Sequence, residues 1–349
     1  MEYRTLGRSG TAVSEFGLGT MTFGDTTPKA EAFEQLDLFI EAGGTLIDTA
    51  DVYARGVTEE IIGEWLRRSG ATTTDRIVLA TKARFPTSAD PNGGGSSRRH
   101  LARALEASLR RLRVDTVDLY QLHSWDPHTP IDESLAFLSD AVGSGKIRYG
   151  GISNFTGWQI QKTVDTAAAE GLARPVTVQL QYNLLARQVE WELLPAAIEN
   201  GVGALIFSPL AGGILTGKYR AGTDPDADTR LSDPVMGAMY ASQTREGRSW
   251  SVLEVVRSIA EEVEGSPSAV ALAWLRARRG VSSILLGART LEQLRGNLAA
   301  IPIRLSPQQI ETLDRASKPI SGYPYGDAGD ALRARSLAGT SLEMPVVPE

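Results

Sequence analysis

Eight short apolar runs, each followed by a longer stretch with helical periodicity, constrain this chain more than any other feature. The runs are Phe16–Gly19, Thr45–Asp48, Ile77–Lys82, Val117–His123, Ile147–Ile152, Val176–Gln179, Gly203–Phe207 and Ser283–Leu286. They are rich in Val, Ile, Leu and Phe and show little polar alternation. Strands covered on both faces read this way, because neither face meets water. Between them, Leu101, Leu105, Leu109 and Leu112 recur at helical spacing, with Arg110, Arg111 and Arg113 on the other side. Phe33, Leu36 and Ile40 repeat the pattern earlier. Thr27-Pro28, Thr129-Pro130, Ser266-Pro267 and Ser306-Pro307 each set a hydroxyl N-cap before a proline at the first helical position. Thr290 to Gln293 reads as a capping box.

Strands alternating with helices predict an α/β fold, a (β/α)8 TIM barrel. The alternative, an open doubly wound sheet, needs G-x-G-x-x-G after its first strand. Here that stretch is Gly17-Leu18-Gly19-Thr20-Met21-Thr22, which lacks the third glycine. A chain of 349 residues is thereby spent on one domain, 1–349. Residues 3–13 predict a hairpin at the barrel bottom, and 208–248 a long connection of the kind that is usually functional. Residues 318–349 predict an extra C-terminal helix or tail.

Composition excludes several chemistries. The chain has no cysteine, hence no disulfide, thiolate metal site or cysteine nucleophile. Its three histidines, His100, His123 and His128, are too few and too badly spaced for a metal site, and none is expected. The net charge of −6 argues against nucleic acid or an anionic membrane as partner. No apolar stretch approaches the ~20 residues that span a bilayer, and the start carries no apolar leader, so a cytoplasmic setting is expected.

Polar residues at the C-terminal ends of barrel strands read as active site. The second predicted strand ends in Asp48 and leads to Tyr53, the third ends in Lys82 and the fourth in His123. A free phenol, with a pKa of about 10, is too weak an acid near neutrality, and a nearby ammonium lowers that value. Lys82, held charged by Asp48, is placed to supply it. Tyr53 and His123 would then flank an oxygen that gains negative charge. Such a site suits carbonyl reduction, given a hydride source.

The stretches Gly44 to Tyr53, Ala80-Thr81-Lys82 and Asp118 to His123 resemble the aldo-keto reductases. So do Gly150 to Phe155, Gln179 to Leu185, Ser208 to Tyr219, and Gly287 to Thr290 with Gln293 and Asn297. The resemblance covers about residues 3 to 325 in order, and Ser208-Pro209-Leu210-Ala211-Gly212-Gly213 is most similar to the bacterial and potassium-channel-β-like branch. It implies NADP(H) as cofactor, Tyr53 as general acid, Lys82 and Asp48 as its tuners and His123 as the orienting group. It implies that Ser153, Asn154 and Gln179 hold the carboxamide and that Phe207 stacks on the nicotinamide. Ser208, Pro209, Leu210, Gly212, Leu215 and Lys218 match the pyrophosphate loop, and Gly19, Thr20 and Met21 join the cofactor set. Gly287, Arg289, Gln293 and Asn297 match the far end, with Arg289 on the 2′-phosphate and Gln293 and Asn297 on the adenine.

Gly212 to Lys218 nearly spells a nucleotide-triphosphate loop, but Tyr219 stands where that motif needs a hydroxyl for Mg²⁺. Phe23, Phe85, Trp125 and Tyr325, with Met21 and Tyr323, are expected to form an apolar substrate mouth. The expected partner is a small-molecule carbonyl substrate, and self-association into a homo-oligomer is left open. A nucleotide-sensing regulatory subunit is the second reading.

Overall fold

A computed structural model describes residues 1–326, 329 and 331, except 224, 227, 228 and 246. The chain divides into two units, Met1–Ser317 and Lys318–Glu349. In the first, strands β1 (Tyr3–Thr5) and β2 (Ala12–Ser14) form an antiparallel hairpin. Eight parallel strands follow: β3 (Phe16–Gly19), β4 (Leu46–Asp48), β5 (Val78–Ala83), β6 (Val117–Leu122), β7 (Ile147–Ser153), β8 (Thr177–Gln181), β9 (Gly203–Phe207) and β10 (Val281–Gly287). They close in sequence order, with β10 returning to β3, so every strand is paired on both edges. The expected (β/α)8 barrel and N-terminal hairpin are both present.

The helices are α1 (Lys29–Glu41), α2 (Val57–Ser69), α3 (Ala71–Thr74), α4 (Arg98–Leu112), α5 (Ile131–Gly143), α6 (Gly157–Ala169) and α7 (Leu193–Glu199). There follow α8 (Pro234–Arg245), α9 (Gly247–Glu262), α10 (Pro267–Arg276), α11 (Leu291–Leu298) and α12 (Pro307–Ala316). The leucine stripe of α4 is buried as its spacing dictates. Arg111 departs from the expected solvent face. It turns inward onto Glu59 of α2, with Nη2 to Oε2 at 2.6 Å.

Ser266 and Ser306 cap α10 and α12 through their side chains. Thr27 and Thr129 do not cap α1 and α5. Their hydroxyls donate instead to Thr22 and the Arg289 carbonyl, and to Asp126, so Pro28 and Pro130 take the cap positions. Thr290 caps α11, but Gln293 reaches back to the Arg289 N–H at 2.9 Å rather than to Thr290.

The hairpin closes the barrel's lower end. Leu6 and Val13 pack, fully buried, with Leu46, Val78, Leu119, Leu205 and Leu285. Gly7 crosses beneath at φ +57°, where a Cβ would stand 2.1 Å from the Val176 carbonyl oxygen. The expected long connection 208–248 carries its own structure, including α8. In the second unit, the Tyr325 N–H donates to the Gly322 carbonyl at 2.9 Å. Tyr323 and Tyr325 belong to that unit, and 332–349 of the expected tail lie outside the described residues.

Candidate active site

Asp48 ends β4, Lys82 lies near the end of β5, and His123 follows β6 directly. Parallel strands in register bring these three to one rim. Tyr53 arrives by the turn after β4. Its N–H bonds back to the Ala50 carbonyl, and the chain then runs through three left-handed residues, Ala54 (φ 44°), Arg55 (φ 55°) and Gly56 (φ 95°). Non-glycine residues rarely adopt that conformation, so the turn is held under strain by its surroundings.

Lys82 is fully buried, and its ammonium donates to Asp48 Oδ2 at 2.6 Å, to the Thr49 carbonyl at 2.6 Å and to the Tyr53 hydroxyl at 3.4 Å. Asp48 Oδ1 accepts from Gln179 Nε2 at 2.9 Å and from Gln121 Nε2 at 3.1 Å. The buried carboxylate therefore has three donors, which is what a desolvated charge needs.

Burial alone would push the Lys82 ammonium down, but Asp48 and Tyr53 more than offset it and hold its pKa above the usual lysine range. Burial lifts the Tyr53 phenol. Lys82 pulls it down as expected, Asp48 pushes it up, and the net direction is upward. The lysine thus moderates the cost of burying the phenol rather than making it an unusually strong acid. Burial, with Lys82 and Arg84 nearby, drives His123 well below the ordinary histidine range. It is a neutral imidazole at physiological pH, set edge-on to Tyr53 (5.9 Å between ring centroids) and to Phe85 (4.7 Å).

Three of these groups lie on the floor of a cleft of about 620 Å³ that extends across the barrel mouth. Asp48, Tyr53 and His123 line it, with Gly19, Thr20, Met21, Phe85, Asn154, Gln179, Phe207, Ser208, Pro209, Leu210, Gly212 and Lys218. Gly287, Arg289, Gln293 and Asn297 line its far end at the start of α11. Asn154 sits at φ 57° and donates through Nδ2 to the His123 carbonyl at 3.0 Å and to Ser153 Oγ at 3.1 Å. Asn183 Nδ2 holds the Ser208 carbonyl at 2.9 Å, and the Ser208 hydroxyl bonds to that of Tyr240.

Other expected residues lie off the cleft wall. Lys82 and Ser153 are buried behind it. Leu215 is packed in the core beneath its loop, and Phe23, expected at the mouth, is fully buried in the core while its carbonyl accepts from Thr58. Trp125 turns edge-on to Phe155 and Trp158 instead of into the cleft.

Several lining residues escaped sequence reasoning. Val52, Arg230 and Tyr240 line the cleft, and Gln121 supports its floor. Gln121 had one available signal, a polar residue at an inward position within an apolar strand.

The sequence profile of the Aldo/keto reductase family matches residues 15–318. The chain belongs to the aldo/keto reductase family. An uncharacterized oxidoreductase of Bacillus subtilis (strain 168), YrpG, is 39% identical over 323 residues, covering 90% of this chain and 95% of that protein. A protein described as a probable voltage-gated potassium channel subunit beta, from Arabidopsis thaliana, is 34% identical, covering 91% and 98%. Protein tas of Escherichia coli (strain K12) is 32% identical, covering 93% and 99%. Family and relatives support a general oxidoreductase function. Among the described residues no helix is long and apolar enough to cross a membrane.

Proposed function

We propose that this chain is an NADPH-dependent reductase that converts an aldehyde or ketone to an alcohol, with Tyr53 as general acid. One observation carries the reading: the Lys82 ammonium, 2.6 Å from Asp48, lies 3.4 Å from the Tyr53 hydroxyl on the floor of the cleft, beside a neutral His123.

The donor set of the cleft fits a nicotinamide dinucleotide. Phe207 offers a flat apolar face at one end. Asn154 and Gln179 spend their amide N–H groups on His123, Ser153 and Asp48, which leaves their amide oxygens as acceptors for a carboxamide. Lys218, the loop from Ser208 to Gly213, Arg289 and the start of α11 offer cations and backbone N–H groups suited to phosphates. The bound cofactor would supply the hydride.

Tyr53 donates its phenolic proton to the substrate oxygen. Lys82 stabilises the phenolate left behind, and Asp48 with its two glutamine donors keeps that ammonium aimed. His123, being neutral, donates an N–H to the same oxygen without adding a charge that would compete for the proton. Tyr53 and His123 stand edge to face, 5.9 Å between ring centroids, so both border the same part of the cleft. Met21 and Phe85 give the mouth an apolar rim.

A second reading, a nicotinamide-nucleotide-sensing subunit with little turnover, is favoured by the likeness to the described channel subunit of Arabidopsis thaliana. Purified protein, a panel of aldehydes and ketones, and both NADPH and NADH separate the two. Carbonyl-dependent NADPH oxidation supports the reductase. Tight NADPH binding with no turnover on any carbonyl supports the sensor, and no binding of either nucleotide overturns both.

A further inference from the structure

Behind Tyr53 lies a second set of buried charges that the reaction above does not use. Asp51, two residues before Tyr53, is 2% exposed, and no side chain among the described residues hydrogen-bonds either of its carboxylate oxygens, the Val52 N–H being the one group directed at them. Its N–H donates to the Lys82 carbonyl at 3.0 Å, which ties it to the strand that carries the site ammonium. Four titratable or charged groups on four elements interact with it electrostatically: Glu59 of α2, Arg111 of α4, Lys82 of β5 and Tyr120 of β6.

Glu59 is satisfied. Arg111 Nε donates to its Oε2 at 2.7 Å and Thr81 Oγ1 to its Oε1 at 2.6 Å. Lys82 is likewise matched by Asp48. Each cation thus already has its anion, and an ionised Asp51 would add one uncompensated negative charge to a dry interior. Burial and the Glu59 charge together raise its pKa from the ordinary aspartate value to about 7, against the smaller pull of Arg111, the Val52 N–H and Lys82.

The cluster grips both ends of the strained turn. Asp51 precedes it, and at its far end the Arg111 side chain lies against Gly56, where a Cβ would meet Arg111 Cδ and Nε at 2.9 Å. Glu59 stands in the first turn of the helix that begins there.

We propose that Asp51 is a positioning residue for Tyr53 and acts as a neutral carboxylic acid, leaving the field of Lys82 undivided on the Tyr53 hydroxyl. Once Asp51 loses its proton, the new anion shares that field and the phenol becomes a weaker acid. The inference rests on Tyr53 as the general acid, but it is testable without turnover.

The test is Asp51→Asn, which fixes the neutral form at nearly the same shape. Infrared difference spectra of the wild type should show a protonated carboxyl band at pH 6 that vanishes by pH 8 and is missing in Asp51→Asn. With 3-fluorotyrosine in place of Tyr53, a fluorine resonance then reports the phenol's titration. Its midpoint should fall by about one pH unit in Asp51→Asn, on the order expected when one nearby buried charge is removed. If the protein reduces carbonyls, the wild-type rate should fall near pH 7 and the Asp51→Asn rate should not. An unchanged fluorine midpoint, or no protonated carboxyl in the wild type, overturns the proposal. Absence of turnover with both spectroscopic results intact overturns the reductase reading alone.

Discussion

Replacing Asp51 by Asn should make the protein more stable, by an amount that depends on pH in a defined way. The carboxyl is raised from 3.8 to about 7 on folding. Between those values the folded chain holds a proton that the unfolded chain has released. Wild-type stability therefore falls as pH rises from about 4 to about 7, and is flat above. At about 1.4 kcal/mol per pH unit, the full cost of the buried acid is about 4 kcal/mol at pH 8. Asparagine carries no such cost at any pH, though its amide stays as poorly partnered as the acid. That amide contribution is the same at every pH and cancels between two measurements. The gain from Asp51→Asn should accordingly grow by about 2 kcal/mol between pH 5 and pH 7 and level off by pH 8. Urea denaturation of both proteins at pH 5, 6, 7 and 8, with unchanged m-values, measures it. A difference that stays constant across that range would refute the reasoning, because it would mean that the folded chain holds no proton on Asp51.

Lys82→Met should destabilise the barrel by about 3 to 5 kcal/mol at pH 7, because it strips the cation from a buried carboxylate. Pairing it with Asp48→Asn should recover much of that loss in the same denaturation series. Tyr53→Phe should keep NADPH affinity, read by fluorescence titration, and lose at least about a hundredfold in carbonyl reduction, the usual scale for a general acid. Arg289→Ala should weaken NADPH far more than NADH, and an unchanged ratio of the two dissociation constants would remove Arg289 from the 2′-phosphate. Ser306→Ala should cost about 1 kcal/mol, as the loss of the α12 cap seen in Ser306 Oγ and Gln309 N–H.

The barrel was legible in the sequence because its strands are covered on both faces, and runs such as Gly203 to Phe207 stay apolar in consequence. Asp48, Tyr53, Lys82 and His123 stood out for the opposite reason: each is a polar residue where such a run ends. Side-chain direction was not legible. Phe23 follows a strand end as Phe85 does, yet it is buried in the core, while Phe85 reaches His123. Arg111 sits in a basic helix face, and only the arrival of Glu59 from another helix draws it inward. Thr27 and Thr129 had the right neighbours for capping, but partners distant in the chain or across a loop compete for a hydroxyl. Gln121 and Asp51 show the same limit, since their meaning depends on which charges the closed barrel sets beside them.

The hairpin under the barrel has a consequence for traffic. With Leu6, Val13 and the crossing of Gly7 sealing the lower end, the way to Lys82 among the described residues is the upper mouth. A blind cleft has a single entrance. Whatever rests on the floor leaves by the way it came. Two molecules sharing this mouth would therefore use one entrance, because a short turn of chain closes the opposite end of the barrel.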